Sequence, residues 1–492
     1  MAEARLDEIR KSRFQKADKL RELGIDPYPS KVKGVAEPIV EVINQEGSDK
    51  GVVGRLWGLR VHGNTTFADL KDDTGKVQLW FQKNNLGDSY RNLKYLDLGD
   101  FLYAQGKVTK TQAGEVSLDV YDFQLLTKSI RPLPSTWFGL KDVEERYRQR
   151  YVDLLVNDDV KTVFQKRAQI VRLMRNKLDA EGFLEVKTPS FQPLYGGATA
   201  KPFITHHNAL DVDLYLRISD ELYLKRLITG GFPKVYEIGT DFRNEGIDRW
   251  HNPEFSMLEF YWAYADYNDL MDFTQKLLSE IVKEVCGDYK IKYGEMEVDF
   301  SLPWKRLTYK DAIQEHVGID IDKFENADEL KKAIKNQVKE IDLSATNDIP
   351  SILDETYKSQ VRDKLVDPVY LIDHPYFMRP LAKRKTEDPS KVESFQLVAA
   401  GAELINAYSE LNDPQDQKER WQEDMKRAKE GVNDYQLLDE DYIRALEYGM
   451  PPTAGWGLGI DRFTALLTNQ HSLKDVILFP TLRPEKQYGN KE

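Results

Sequence analysis

The sequence predicts an α+β fold, with a small β-barrel ahead of a body of helices and mostly antiparallel strands. Three observations predict it. Residues 51 to about 126 break into short β segments separated by tight turns. Residues 160–182 carry one long amphipathic helix pattern, with Val163, Ile170, Val171, Met174 and Leu178 toward one side. The segment Asp241–Tyr261 reads as two strands joined by a short polar loop, Gly246–His251.

Taken in order, residues 1–50 read as an N-terminal helical extension. Arg5–Leu23 places Leu6, Ile9, Phe14, Leu20 and Leu23 at loose helical spacing, ends at Gly24, and is kept from resuming by Pro27 and Pro29. Its Lys and Arg residues suit a bound polyanion or a solvated face equally. Residues 51–135 supply the barrel. Val52–Val61 opens it, Phe67–Leu70 and Val77–Phe81 flank the Asp72–Gly75 turn, and Phe101–Val108 and Val116–Val120 complete it. Five such strands suggest an OB-type barrel, a fold that often binds single-stranded nucleic acid on exposed aromatics, although other small barrels share the strand count.

Pro132 and Pro134 mark the exit from the barrel, and residues 136–160 read as a linker. Its charged run, Glu144–Tyr151, suits a surface helix with solvated ion pairs as well as a functional role. Residues 161–492 form the body. The long helix closes at Gly182, Phe183–Val186 reads as a strand, and residues 308–365, rich in Lys, Asp and Glu, read as an inserted helical subdomain. Pro368–Asp373, Ser394–Ala399 and Leu404–Leu411 read as further strands. No glycine pattern of a P-loop or dinucleotide-binding turn occurs.

Composition narrows the function. The 492 residues allow two or three domains, and no apolar run approaches the ~20 residues of a bilayer span. Met1–Lys33 lacks the apolar core of a secretory signal. A single cysteine, Cys286, excludes an intramolecular disulfide and a cysteine zinc cluster, and it suits a small core residue. Together these features point to the cytoplasm. A net charge of -12 argues against a protein coated in basic charge, while leaving room for a local basic face.

Three segments carry chemistry. In the first, alternation puts Asp241, Arg243 and Glu245 on one face of one arm, and Phe255, Met257, Glu259 and Tyr261 on one face of the other, with Arg249 and His251 in the loop. Cations, carboxylates and aromatics on one sheet face are costly as plain core, because buried unpaired charges are unfavourable. A ligand with anionic, cationic and flat parts explains them. In the second, Ala402–Glu410, an extended chain points Asn406, Tyr408 and Glu410 one way. An amide, a ring and a carboxylate at that spacing suit a ligand with a polar head, an apolar stem and a distal cation, or else a polar strand rim. In the third, Gly455–Phe463, glycines allow close backbone approach to a flat ligand, and Arg462 stands where a guanidinium stacks on a base or reaches a phosphate.

Together these segments resemble the signature motifs of the class II (subclass IIb) aminoacyl-tRNA synthetases. Residues 172–189 look like the first motif, Phe242-Arg-Asn-Glu245 with His251-Asn-Pro-Glu-Phe255 like the second, and Gly457-Leu-Gly-Ile-Asp-Arg462 like the third. The resemblance covers nearly the whole chain, beginning with Leu23–Pro29, and Gly196–Phe203, Glu221–Arg226 and Asn406–Asn412 are similar to the lysine-specific members rather than their aspartate and asparagine relatives.

The resemblance implies a class II antiparallel catalytic sheet, an OB-fold anticodon-binding barrel and a homodimer joined through the first motif. It implies activation of L-lysine by ATP and transfer of the lysyl group to tRNA(Lys). By similarity, Arg243 bridges the lysine carboxylate and the α-phosphate, Glu245 and Asn252 read the adenine side, His251 lies by the outer phosphates, and Phe255 and Arg462 sandwich the base. Gly197, Glu221 and Glu259 would meet the α-amino group, Tyr261 and Glu410 the ε-ammonium, and Asn406 and Tyr408 the rest of the amino acid. Phe67, Gln78 and Asp122 match anticodon-reading positions, with Asp122 standing where the family often has Glu.

Mg2+ would bridge the phosphates, with Glu403 as a matching ligand. Glu403 lies off the parity of Asn406, Tyr408 and Glu410, so it needs a bulge or twist to join them. Gln396 stands where the family usually has a second carboxylate, which implies fewer or weaker metals. Two rivals remain at this stage: a relative that lysylates a protein, and a non-catalytic descendant. The barrel weighs against the first, and the intact set of nucleotide-site residues against the second.

Overall fold

The computed structural model describes residues 2–111, 114–134, 140, 142–429 and 437–484. The chain divides into two compact units, Met1–Gly139 and Leu140–Glu492.

In the first unit, strands β1 (Asp49–His62), β2 (Thr65–Lys71), β3 (Lys76–Gln82), β4 (Phe101–Lys110) and β5 (Val116–Thr127) close into a barrel in the order β1-β2-β3-β5-β4. Alternation decides what fills it: Thr66, Ala68 and Leu70 of β2 point inward, while Thr65, Phe67, Asp69 and Lys71 stay partly exposed. Val52, Leu56, Leu79, Phe81, Leu102, Leu118 and Val120 complete the core. The helix Ala2–Glu22 seats Leu20 in that cluster. Two of its basic residues serve the unit itself, for Arg13 donates to the carbonyl of Ser129 at 2.9 Å and Lys16 pairs with Asp97 at 2.7 Å.

The second unit is built on an eight-stranded sheet. Its strands are β6 (Leu184–Glu185), β7 (Lys234–Phe242), β8 (Glu254–Ala263), β9 (Lys305–Thr308), β10 (Val369–Ile372), β11 (Ser394–Ala399), β12 (Ala402–Ser409) and β13 (Thr453–Gly459). The order is β9-β10-β11-β12-β13-β8-β7-β6. Only the edge pairs β9/β10 and β6/β7 are parallel. The sheet's apolar side carries Leu258, Phe260, Ile405, Ala407, Trp456 and Leu458, packed with Ile170, Met174 and Leu178 of the helix Asp158–Ala180 and with Leu270, Leu278 and Ile281 of the helix Tyr267–Cys286. Burying each such Leu or Phe contributes roughly 1.5–3 kcal/mol. The opposite side is left for polar residues. Helices Tyr309–Val317, Ala327–Gln337 and Ile349–Gln360 gather around an apolar cluster of their own at one end of the sheet.

Two expectations need correction. Residues 136–139 and 141 of the expected linker lie outside the described residues, and the rest of it is built structure. Helices Val143–Arg148 and Arg150–Val156 occupy it, and Arg150 is fully buried. Its guanidinium pairs with buried Asp153 and donates to the carbonyls of Lys474 and Leu478 at 2.7 and 3.2 Å. A charge so completely satisfied is a structural clamp, which a reading of charge density alone does not distinguish from a solvated run. The first arm of the hairpin is also shorter than alternation suggested: the strand ends at Phe242 opposite Glu254, with one more backbone bond, from the Arg243 amide to the Pro253 carbonyl at 2.8 Å. Asp241, opposite Phe255, keeps the expected face and is buried beside Arg217, 3.2 Å away, whereas Arg243 and Glu245 lie beyond the strand in the loop.

No helix among the described residues is long and apolar enough to cross a membrane.

Candidate active site

On the polar side of the sheet lies a cavity of about 420 Å³. Its floor is made by three adjacent strands. Glu259 lies opposite Gly457 and Tyr261 opposite Gly455 across the β8/β13 pair; Asn406 and Tyr408 lie opposite the same two glycines across β12/β13. The central strand thus contributes backbone only, leaving space between two walls of functional side chains. A Cβ on Gly455 would stand 1.9 Å from an oxygen of Glu410 and 2.6 Å from the Tyr261 ring.

One end of the cavity is rich in carboxylates. Glu221, Glu259 and Glu410 line it with Gly197, Ser219, Tyr261 and Tyr408. Tyr408 donates from its hydroxyl to Glu221 at 2.8 Å, and Tyr261 donates to Glu259 at 3.3 Å. The helix Glu221–Thr229 begins here and carries Lys225 one turn on. The Lys225 ammonium, fully buried, lies 2.5 Å from Glu221 and pairs with Glu410. Gly197, at φ +83, brings its backbone against Ser219 and Glu221, where a Cβ would lie 3.0 Å from the Ser219 hydroxyl.

Burial governs the acid–base character of this end. It pushes the Glu259 carboxyl up to about 8, helped by Asp241 and Glu221. It also raises Glu410, helped by Glu221 and opposed by Lys225. Burial alone would lower Lys225, yet Glu221 and Glu410 raise it above the ordinary lysine range. Behind Glu259, burial and the neighbouring Glu259 and Asp241 raise Asp220 far above a normal aspartate, and its carboxyl lies against that of Glu259.

The other end carries cations and rings. Arg243, Glu245, His251, Asn252, Phe255, Glu403 and Arg462 all line it. The Arg243 guanidinium lies 5.0 Å over the Phe255 ring. Arg462, at the start of the helix Ile460–Leu467, donates to the Glu403 carbonyl at 3.3 Å and lies 3.4 Å from His251, which Asp248 holds at 2.8 Å. Asp461 ties that helix to the hairpin by accepting from the Ser256 amide at 2.8 Å and from Arg167 at 2.7 Å.

Glu403 reaches the cavity through a bulge. Leu397 pairs with Ile405, but the next residue, Val398, pairs with Glu403, so one residue of β12 is extra. Asn406 then donates to the Glu403 carboxylate, leaving its own buried carbonyl oxygen without a partner. Gln396 is different. It is buried on β11 opposite Asn406 and is not among the residues that line the cavity.

On the barrel, Phe67 and Trp80 lie opposite each other on β2 and β3 with rings stacked at 6.1 Å, and Gln78 lies opposite Asp69 two pairs away. The Gln78 amide donates to Glu115 at 2.8 Å and accepts from Ser117 at 2.9 Å. Asp122 does not join this group; it pairs with Lys33. The carboxylate that accepts from Gln78 is thus that of Glu115, which the sequence does not mark because parity along one strand says nothing about its neighbour's register. Trp80, Ser219, Lys225 and Arg379, the last of which also lines the cavity, were likewise not anticipated. For Lys225 a signal existed: it stands four residues after Glu221, the spacing of facing side chains on a helix.

Residues 142–483 match the family of tRNA synthetases class II (D, K and N), and residues 51–126 match the OB-fold nucleic acid binding domain. The chain belongs to the class II tRNA synthetases, a family of ligases. It is 47% identical to a lysine--tRNA ligase of Pelotomaculum thermopropionicum over 98% of this chain and 96% of the relative. It is 47% identical to one of Syntrophomonas wolfei over 98% of both chains. A lysine--tRNA ligase of Clostridium tetani is 46% identical over 98% of this chain and 97% of its own.

Proposed function

We propose that the protein is a lysine--tRNA ligase that joins L-lysine to ATP as lysyl-adenylate and then passes the lysyl group to the 3′ end of tRNA(Lys). The observation that carries this reading is a single cavity with a carboxylate-rich end and a cationic, aromatic end.

Adenylation requires the lysine carboxylate to attack the α-phosphorus in line while pyrophosphate departs. Most of the catalysis is positioning and neutralisation of phosphate charge. Arg243 bridges the two anions that must meet. Phe255 and Arg462 hold the adenine ring, Glu245 and Asn252 read its edge, and His251 accompanies the outer phosphates. Glu259, Glu221 and the Gly197 backbone receive the α-ammonium. Glu410 and Tyr261 receive the ε-ammonium, Tyr408 covers the methylene stem, and Asn406 sits at the junction. A ligand lacking the distal cation leaves a buried carboxylate unpaired, so leucine and methionine are rejected without editing. Ornithine is the harder competitor.

The donor set fits magnesium with one carboxylate. Glu403 and the unpartnered carbonyl oxygen of Asn406 would hold it, with Gln396 a neutral neighbour on the next strand. The ion would neutralise charge on the phosphates. For tRNA, Phe67 and Trp80 offer stacking surfaces, and Gln78 with Glu115 offers hydrogen bonds to bases. Exposed Leu184 and Phe191, in and beside the segment similar to the first family motif, support a homodimer through that segment. The cytoplasm is the proposed compartment.

Amino-acid-dependent ATP–pyrophosphate exchange, followed by tRNA charging, tests the proposal. Exchange with lysine alone supports it, and exchange with aspartate or asparagine overturns it.

A further inference from the structure

Lys225 is an unexpected occupant of the carboxylate-rich end. A lysine side chain already sits among the acids assigned to a lysine substrate. It does not line the cavity, its side chain has no exposure, and it is held on a helix rather than a loop, so it is a permanent part of the wall. Its ammonium touches Glu221 and Glu410 and lies 5.9 and 5.6 Å from the ring centroids of Tyr261 and Tyr408. Tyr442 packs behind it, with a buried hydroxyl that has no hydrogen-bond partner. No other cation reaches Glu410 among the described ion pairs.

The charges on this wall can be counted. Three carboxylates face the cavity: Glu221, Glu259 and Glu410. One fixed ammonium answers them. Asp220 and Asp241 lie behind Glu259, and Arg217, 2.6 Å from Glu237 and 3.2 Å from Asp241, serves that rear group rather than the cavity wall. With all three cavity-facing carboxyl groups ionised, as a bound cation requires, the wall is two positive charges short. Free lysine brings two, one at each end of its stem, while its carboxylate goes to Arg243.

We propose that Lys225 is a positioning residue that sets the number of cations the amino-acid pocket demands, by holding the Glu410 and Glu221 carboxyl groups aimed while leaving room for two ammonium groups from the ligand. This rests on the reading of the cavity as a lysine site. It goes further by assigning selectivity for a doubly cationic ligand to a residue the ligand never touches. Without Lys225, three carboxylates confront two ammoniums, and Glu410, losing the one cation that opposes its upward shift, takes up a proton more readily and grips the ligand less. Glu221, Tyr261, Tyr408 and Tyr442 surround that carboxyl, and none supplies a positive charge.

The test is ATP–pyrophosphate exchange by the full-length enzyme carrying Lys225→Met, a near-isosteric change, across pH 7 to 9. The expected result is a lysine KM at least tenfold above wild type at pH 7, with kcat within about threefold. The ratio of the two KM values should narrow at least threefold between pH 7 and 9, because loss of Lys225 removes the cation that opposes the raised Glu410 carboxyl. A packing defect would raise the ratio equally at every pH, and that outcome, or a ratio near one throughout, overturns the inference. A second measurement uses the wild-type enzyme alone, in case the variant does not fold. Cadaverine, with two ammoniums, should inhibit lysine-dependent exchange at least tenfold better than n-pentylamine, which has one; equal inhibition overturns the charge count. Absence of lysine-dependent exchange in the wild type would instead remove the reading on which both rest.

Discussion

Glu410 reaches over Gly455 so closely that the glycine has no room for a side chain: a Cβ there would lie 1.9 Å from the carboxylate oxygen. The carboxylate is almost wholly buried, so it cannot swing into solvent to make way. Overpacking of this kind costs about 1–3 kcal/mol. Gly455→Ala should therefore raise the lysine KM roughly 5- to 150-fold, as those energies convert. ATP binding at the far end of the cavity should change little. Calorimetric titration with ATP and exchange kinetics with varied lysine separate the two.

The raised pKa of Glu259, about 8, gives a pH dependence with a definite sign. In the folded, ligand-free enzyme the carboxyl keeps its proton up to that pH, whereas in the unfolded chain it loses it near an ordinary glutamate value of about 4.3. This group therefore stabilises the fold most at low pH, relative to the unfolded chain, and that contribution is lost as pH rises toward 8. Lysine reverses the trend, because its α-ammonium binds the ionised form. The lysine-induced rise in Tm should grow between pH 6 and 8, and lysine binding at pH 7 should release a proton. Calorimetry in buffers of different ionisation enthalpy counts it.

Gln396→Glu should lower the magnesium concentration that half-saturates exchange. The change places a second carboxylate on β11 opposite Asn406, next to Glu403, where the wild type has a neutral amide. A magnesium titration at fixed ATP decides it; an unchanged or higher requirement would show that β11 does not reach the metal.

On the barrel, Glu115→Gln should weaken tRNA recognition where Asp122→Asn does not, since Glu115 contacts Gln78 and Asp122 is occupied by Lys33. The effect should appear as a raised KM for tRNA in charging, about tenfold, with lysine-dependent exchange unchanged.

Much of this arrangement was legible in the chain because strand alternation is strict. Phe255, Glu259 and Tyr261, and separately Asn406, Tyr408 and Glu410, could be placed on common faces from their spacing alone. Glu403 shows where alternation stops working: only an extra residue in β12 turns it toward the others, so its position required a bulge that no local signal marks. Arg243 and Glu245 reach the cavity from a loop, beyond the end of the strand, so their apparent agreement with the strand period was coincidental. The α+β fold and the five-stranded barrel followed from patterns of burial. Arg150 and Lys225 did not, because a charged side chain gives the same sequence signal whether it is solvated or buried against a partner. Glu115 was hidden for a related reason: its meeting with Gln78 depends on the parallel register of β3 and β5, in which Gln78 faces Ser117.

The most direct test of the central claim compares lysine with norleucine, which has the same stem and no distal charge, in exchange by the wild type and by Glu410→Gln. Removing one member of a buried charge pair costs about 3–5 kcal/mol. If Glu410 reads the ε-ammonium, the variant should lose at least two orders of magnitude in kcat/KM for lysine while its preference for lysine over norleucine shrinks by a similar factor. If lysine activity fell while that preference stayed intact, the distal cation would be recognised elsewhere, and the account of the pocket would be wrong.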